Sequence, residues 1–156
     1  MLSEVLGGGR FTTRLMSELR EKRGLTYGAY AYLANRDLTD TIQGRFATQN
    51  ARAGEAITLV REIWAEAARE GVSEAELDSA RTYMTGSYPL RFDGNATIAR
   101  ILVGMQMMGF GPDYINTRNA RVEAVTLDDV RRVAARLLDP ERLRFVVVGQ
   151  PEGLPD

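Results

Sequence analysis

The apolar positions of this chain recur first in helical and then in strand periods. Met1–Leu6 reads as the end of a helix, stopped by Gly7-Gly8-Gly9, since glycine accepts the backbone positions beyond a helix end. Phe11, Leu15 and Leu19 recur every four residues and predict a helix over Arg10–Arg23 with one apolar stripe. Gly24 ends it, with Arg20, Lys22 and Arg23 near the negative end of its dipole. Tyr27–Ala34 and Thr41–Thr48 then alternate. Tyr30 and Tyr32 oppose Tyr27, while Ile42, Gly44 and Phe46 oppose Gln43 and Arg45, predicting an antiparallel hairpin.

Helical periodicity returns from Asn50, read as an N-cap, to Glu70, with Ala53, Ile57, Val60, Ile63, Trp64 and Ala67 on one face. Ser73-Glu-Ala-Glu76 is a capping box, and its helix is interrupted near Pro89. Asn95 reads as the cap of another helix with Ile98, Ile101, Leu102, Met105 and Met108 inward. Pro112-Asp113 opens a short helix and Thr126-Leu-Asp-Asp129 the last one, stopped by Asp139-Pro140. Leu143–Gly149 reads as a buried strand. This order of elements is α+β, with a mainly antiparallel sheet and helices packed on one side. One domain over 1–150 and a tail over 151–156 account for the chain.

Composition narrows the chemistry. The 156 residues contain no histidine and no cysteine. That removes the usual zinc ligands, histidine-dependent triads, cysteine nucleophiles and disulfide frameworks. A formal net charge of -1 leaves no footprint for nucleic acid or an anionic membrane. No apolar run approaches the roughly 20 residues that span a bilayer. The compartment stays open between cytoplasm and periplasm. Lys22 is the single lysine among 20 basic residues, a bias that usually reflects genome composition.

One pair of residues suggests chemistry. Arg20 lies in the last turn of a helix, and Tyr27 opens a strand after the Gly24 stop. The turn folds them towards each other. A guanidinium and a phenol placed together can both donate to a carbonyl oxygen or a developing oxyanion. The plainer alternative has Arg20 capping carbonyls and pairing with a local glutamate while Tyr27 packs. Other features have plain readings too. Met105, Met107 and Met108 read as helix core, with an adaptable peptide-binding surface as the alternative. The acidic pairs Glu74–Glu76 and Asp128–Asp129 are explained by helix starts. Gly7-Gly8-Gly9 lacks the spacing of a phosphate loop.

The stretch from Leu6 through Gly7-Gly8-Gly9-Arg10-Phe11-Thr12-Thr13-Arg14-Leu15 to Leu19-Arg20-Glu21-Lys22-Arg23-Gly24-Leu25-Thr26-Tyr27 resembles one family. It is similar to the C-terminal, metal-free domain of zinc peptidases of the insulinase, pitrilysin and mitochondrial processing peptidase family. The family pattern is LGGG-x-F-x-S-R-L, then L-R-E-x-x-G-L-x-Y. Thr13 stands where the family often has serine. Val125-Thr-Leu-Asp-Asp-Val130 and Arg144-Phe-Val-Val-Val-Gly149 resemble its closing helix and strand, so the likeness spans nearly the whole chain.

The resemblance implies two similar α+β halves, on one chain or two. The other half carries an inverted zinc motif, H-x-x-E-H, so no cofactor is expected here and zinc is expected in the partner domain. The matching residues Arg20 and Tyr27 would contact the peptide near the scissile carbonyl. Gly7, Gly8 and Gly9 stand where processing peptidases carry a glycine-rich loop implicated in substrate handling, against the plain reading of a helix stop. Implied partners are the zinc-bearing half, on the same or a separate chain, and a peptide substrate. The alternative is a scaffold subunit of the same fold without peptidase activity, and a third is an interaction domain alike in fold only. Family domains of this type begin with strands before the first helix, so a start inside that helix predicts an open edge and a homodimer.

Overall fold

Leu2, Val5 and Leu6 lie on one face of a short helix, α1 (Leu2–Gly7), and that face is buried. The computed structural model describes residues 1–155, and in it α1 lies against the first strand of a hairpin. Strand β1 (Ala29–Ala34) pairs antiparallel with β2 (Thr41–Phe46), Ala29 opposite Phe46 and Ala34 opposite Thr41. Alternation sets the faces at the start of β1 as expected, but Tyr27, expected to open this strand, lies two residues before it, and burial along β2 does not alternate. Ala29 and Ala31 are buried, and Tyr30 and Tyr32 are exposed.

Gly7 permits the contact between α1 and β1. It is buried, and a Cβ there would overlap the backbone nitrogen and Cβ of Ala31. The largest apolar face belongs to α2 (Ala53–Glu70), which contributes Ile57, Val60, Ile63 and Trp64 to the core. It packs against α6 (Leu127–Leu137) through Val130 and Ala134. Between them in sequence come α3 (Glu74–Gly86), α4 (Asn95–Met107) and α5 (Tyr114–Glu123), with α5 against α3. Capping boxes start α3 and α6: Ser73 and Thr126 each accept the backbone N–H three residues on, and Glu76 and Asp129 accept in return. The fold is α+β, mostly helical with a small antiparallel sheet. No helix among the described residues is long and apolar enough to cross a membrane.

Four further sequence expectations change. Leu143–Gly149 is not a strand. It runs between a 3-10 turn at Pro140–Arg142, which packs on α2, and a hydrogen bond from Glu152 N–H to Asn50 O of 2.9 Å. Leu143 and Phe145 pack on the core, but among the described residues the backbone N–H groups of 144–150 find no backbone acceptor. The reason is spatial, because a cavity of about 650 Å³ separates this segment from β2.

The helix expected over Arg10–Arg23 begins only at Arg14, and Phe11 stands outside its stripe in a preceding turn, 59% exposed. Asn50 and Asn95 do not act as side-chain caps. A 3-10 turn, Asn50–Arg52, precedes α2, and Asn95 is the first residue of α4 behind Gly94. Finally, α4 is not core. Met105 is its one buried residue, while Leu102, Met107 and Met108 are exposed and Ile98 and Ile101 half-buried, because α4 lies at the periphery of the packed helices. The core reading of the methionine cluster therefore holds for Met105 alone.

Candidate functional site

The turn Leu19–Tyr27 is built by an unexpected helical closure. Met16–Glu21 winds as a π-helix, with Lys22 N–H donating to Ser17 O at 3.0 Å. Single π turns of this kind are frequent at functional sites. Leu19 is wholly buried, which fixes the rotation of the helix and leaves Arg20 half-exposed beside it. Gly24 then takes φ +59, a left-handed conformation that suits glycine. Its N–H donates to Arg20 O at 2.9 Å, and Leu25 N–H donates to Leu19 O at 2.7 Å.

Tyr27 is held outward by its neighbours. Leu25 is buried, and its carbonyl accepts from the Thr48 hydroxyl at 2.6 Å. Thr26 is buried, and its hydroxyl donates to Gly28 O at 2.9 Å and accepts from Gly28 N–H at 3.1 Å. Between these fixed residues Tyr27 is 85% exposed. The spacing that suggested a pair is realised: the Arg20 guanidinium carbon lies 4.7 Å from the Tyr27 ring centroid. It lies 4.7 Å from the Phe11 ring as well.

Glu18, Glu4 and Glu76 are paired with cations other than Arg20. Glu18 accepts from Lys22 at 2.5 Å and from Arg23 at 2.5 Å. Those two cations hold its carboxyl below the ordinary range, Lys22 contributing most. Arg10 pairs with Glu4 at 3.2 Å, and Arg14 pairs with Glu76 at 2.6 Å. Arg20 has no carboxylate partner among the described residues. The plainer alternative, a local glutamate pair with a packed tyrosine, is therefore not what this geometry holds. What remains is a guanidinium with aromatic flanks and unused N–H donors, beside a phenol, at an exposed surface. Such a group can receive a carbonyl or carboxylate oxygen.

The glycines divide. Gly7 is buried against β1. Gly8 is half-buried and Gly9 exposed, and all three glycines, with Tyr30, Tyr32 and Arg45, line a shallow surface groove of about 600 Å³. For zinc there is no donor set: among the described residues no cluster of three carboxylates is placed to hold a metal. Sequence reasoning missed two features, the π closure and Phe11 beside Arg20. No residue type marks a π turn. The signal for Phe11 was its place directly after Gly7-Gly8-Gly9-Arg10, where a helix is not yet formed.

Comparison with known proteins gives the family of the chain. The model of the peptidase M16 inactive domain matches residues 1–84. The chain is 25% identical over 144 residues to the non-peptidase homolog YmxG of Helicobacter pylori, covering 92% of this chain and 33% of that protein. It is 30% identical over 138 residues to an uncharacterized zinc protease, YmxG, of Bacillus subtilis, covering 88% of this chain and 33% of that one. Over 85 residues it is 36% identical to the mitochondrial-processing peptidase subunit beta of Blastocladiella emersonii, covering 54% of this chain and 18% of the subunit. Among solved structures, a peptidase M16 inactive domain from Pseudomonas fluorescens superposes with a TM-score of 0.80 at 30% identity, over 90% of this chain and 34% of that one. The chain thus spans about a third of the length of the bacterial relatives it matches. With the family model covering more than half of its residues, the chain belongs to the peptidase M16 inactive-domain family.

Proposed function

We propose that this chain is the substrate-binding, metal-free half of a zinc-dependent metalloendopeptidase, with Arg20 and Tyr27 donating hydrogen bonds to the peptide near the scissile carbonyl. The observation that carries this reading is the state of Arg20. It is the arginine of its neighbourhood without a carboxylate, held beside an exposed phenol on pinned backbone. Donors fixed in place before the reaction stabilise developing negative charge without reorganising. Zinc belongs in this reading to the other half, on the same polypeptide or a separate subunit, where it would activate water. The groove beside Gly8 and Gly9 offers the extended peptide a further contact.

The test replaces Arg20→Ala and Tyr27→Phe in the complete enzyme and follows cleavage of a quenched peptide. Both changes are expected to slow turnover, and wild-type rates in both would end the assignment. The isolated chain is expected to bind no stoichiometric zinc and to cleave nothing, which metal analysis and the same assay check. A second reading, a scaffold subunit without peptidase activity, draws on the non-peptidase name of the Helicobacter pylori relative. It predicts that neither substitution changes the activity of the assembly.

A further inference from the structure

Phe11 is large, apolar and 59% exposed, and it does not belong to the hydrophobic core. An exposed phenylalanine on a mobile loop needs no explanation, but this one sits on anchored backbone. Before it, Arg10 reaches Glu4 at 3.2 Å and the Ser79 hydroxyl at 3.0 Å, and lies over the Tyr83 ring at 5.0 Å. After it, Thr13 is wholly buried and its hydroxyl donates to Arg10 O at 3.1 Å. The Phe11 ring is thus presented from a fixed turn, with the Arg20 guanidinium carbon 4.7 Å from its centroid. Tyr27 repeats the arrangement from the far side of the chain turn, at the same 4.7 Å.

We infer that Phe11 is a positioning residue for Arg20: its ring holds the guanidinium beside Tyr27 with its N–H donors free for a peptide oxygen. The inference rests on the substrate-binding role proposed for Arg20 and adds a residue to it. A flexible arginine on an open surface samples many rotamers, and ordering it on binding costs affinity. Two aromatic neighbours meet that cost in advance, since the ring faces attract the cation without occupying its hydrogen-bond donors. A carboxylate in place of Phe11 would hold Arg20 equally well, but it would consume those donors.

The experiment uses this chain and fluorescently labelled, unfolded β-casein as the peptide probe, followed by anisotropy. Phe11→Leu is expected to weaken binding about threefold to fivefold, the worth of one exposed cation–π contact, while Phe11→Trp keeps wild-type affinity. In an Arg20→Ala background, Phe11→Leu is expected to have no further effect. NMR supplies the structural readout: the Arg20 δ protons are expected upfield in the wild type and Phe11→Trp, and nearer random-coil positions in Phe11→Leu. Wild-type affinity in Phe11→Leu alongside weakened Arg20→Ala overturns the inference and leaves the proposed function standing. Equal weakening by Phe11→Leu in both backgrounds also overturns it, because Phe11 would then touch the peptide itself. If neither Arg20→Ala nor Phe11→Leu moves binding, both readings fall together.

Discussion

Arg20 and Tyr27 meet as a stacked pair, guanidinium carbon to ring centroid 4.7 Å, and not as a hydrogen-bonded one. Under the function proposed above, the ring and hydroxyl of Tyr27 would do separate work, and substitution separates them. Tyr27→Phe keeps the ring over Arg20 and deletes the phenolic donor, whereas Tyr27→Leu deletes both. In the complete enzyme Tyr27→Phe is expected to lower kcat/KM for a peptide about tenfold to hundredfold, and Tyr27→Leu further. Thermal unfolding of either variant should match the wild type within about 0.5 kcal/mol, because so exposed a side chain adds little to the core. Equal activities in Tyr27→Phe and the wild type would remove the hydroxyl from the mechanism.

Arg14 joins three elements through one guanidinium. It donates to both oxygens of Glu76, at 2.6 and 2.8 Å, and to Gly71 O at the end of α2, at 3.0 Å. Glu76 also accepts from the Ser73 N–H at 2.7 Å within the α3 capping box. Partial burial pushes the Glu76 carboxyl up, but the Arg14 and Ser73 hydrogen bonds outweigh it and bring its pKa down to about 2. The folded state thus holds this proton less tightly than the unfolded chain. The stabilisation is complete above the ordinary glutamate range and disappears as pH falls through about 2. Glu76→Gln should flatten the acid limb of the stability–pH curve, measured by urea unfolding between pH 2 and 6. Arg14→Met should cost about 2 kcal/mol at neutral pH by leaving a half-buried carboxylate unpaired.

Much of this was legible in the sequence, and the particular residues show why. The α2 face, the Ser73–Glu76 and Thr126–Asp129 boxes, and the alternation at the start of β1 are local patterns, and local chemistry decides them. The pairing of Arg20 with Tyr27 was readable because a glycine turn of short span joins them. Three features depended on what lies beside a segment, and periodicity does not report that. Leu143–Gly149 has the apolar content of a strand, yet it has no neighbouring edge. The apolar residues of α4 have no facing helix over most of its length. Phe11 fits the Leu15–Leu19 period, but the backbone enters the helix only at Arg14.

Gly7 sets the distance between α1 and β1, and its replacement tests that packing. A Cβ at this position meets backbone atoms of Ala31, which cannot move without disturbing the hairpin register. Gly7→Ala is expected to destabilise the chain by about 2–3 kcal/mol, whereas Gly9→Ala, at an exposed position with open space around it, acts only through its positive φ. Thermal or urea unfolding of the two variants reads the difference. A smaller loss in Gly7→Ala than in Gly9→Ala would show that α1 and β1 are free to separate.

The segment 143–149 gives the last prediction. Val146 and Val148 are 93% and 95% exposed in a segment whose backbone N–H groups have no backbone partner among the described residues. An apolar, unpaired strand-like edge of this kind invites pairing with another chain, and here it carries no charge on those two side chains to oppose it. The isolated chain should therefore self-associate, most simply as a homodimer joined through this edge. Light scattering is expected to give a dimer at high concentration. Val146→Lys combined with Val148→Lys should return a monomer without loss of thermal stability, since neither valine contributes to the core. A clean monomer in the wild type at high concentration would refute self-association. A dimer that survives both lysines would place its interface elsewhere, with the exposed apolar residues of α4, Met107 and Val103 among them, as the next surface to charge.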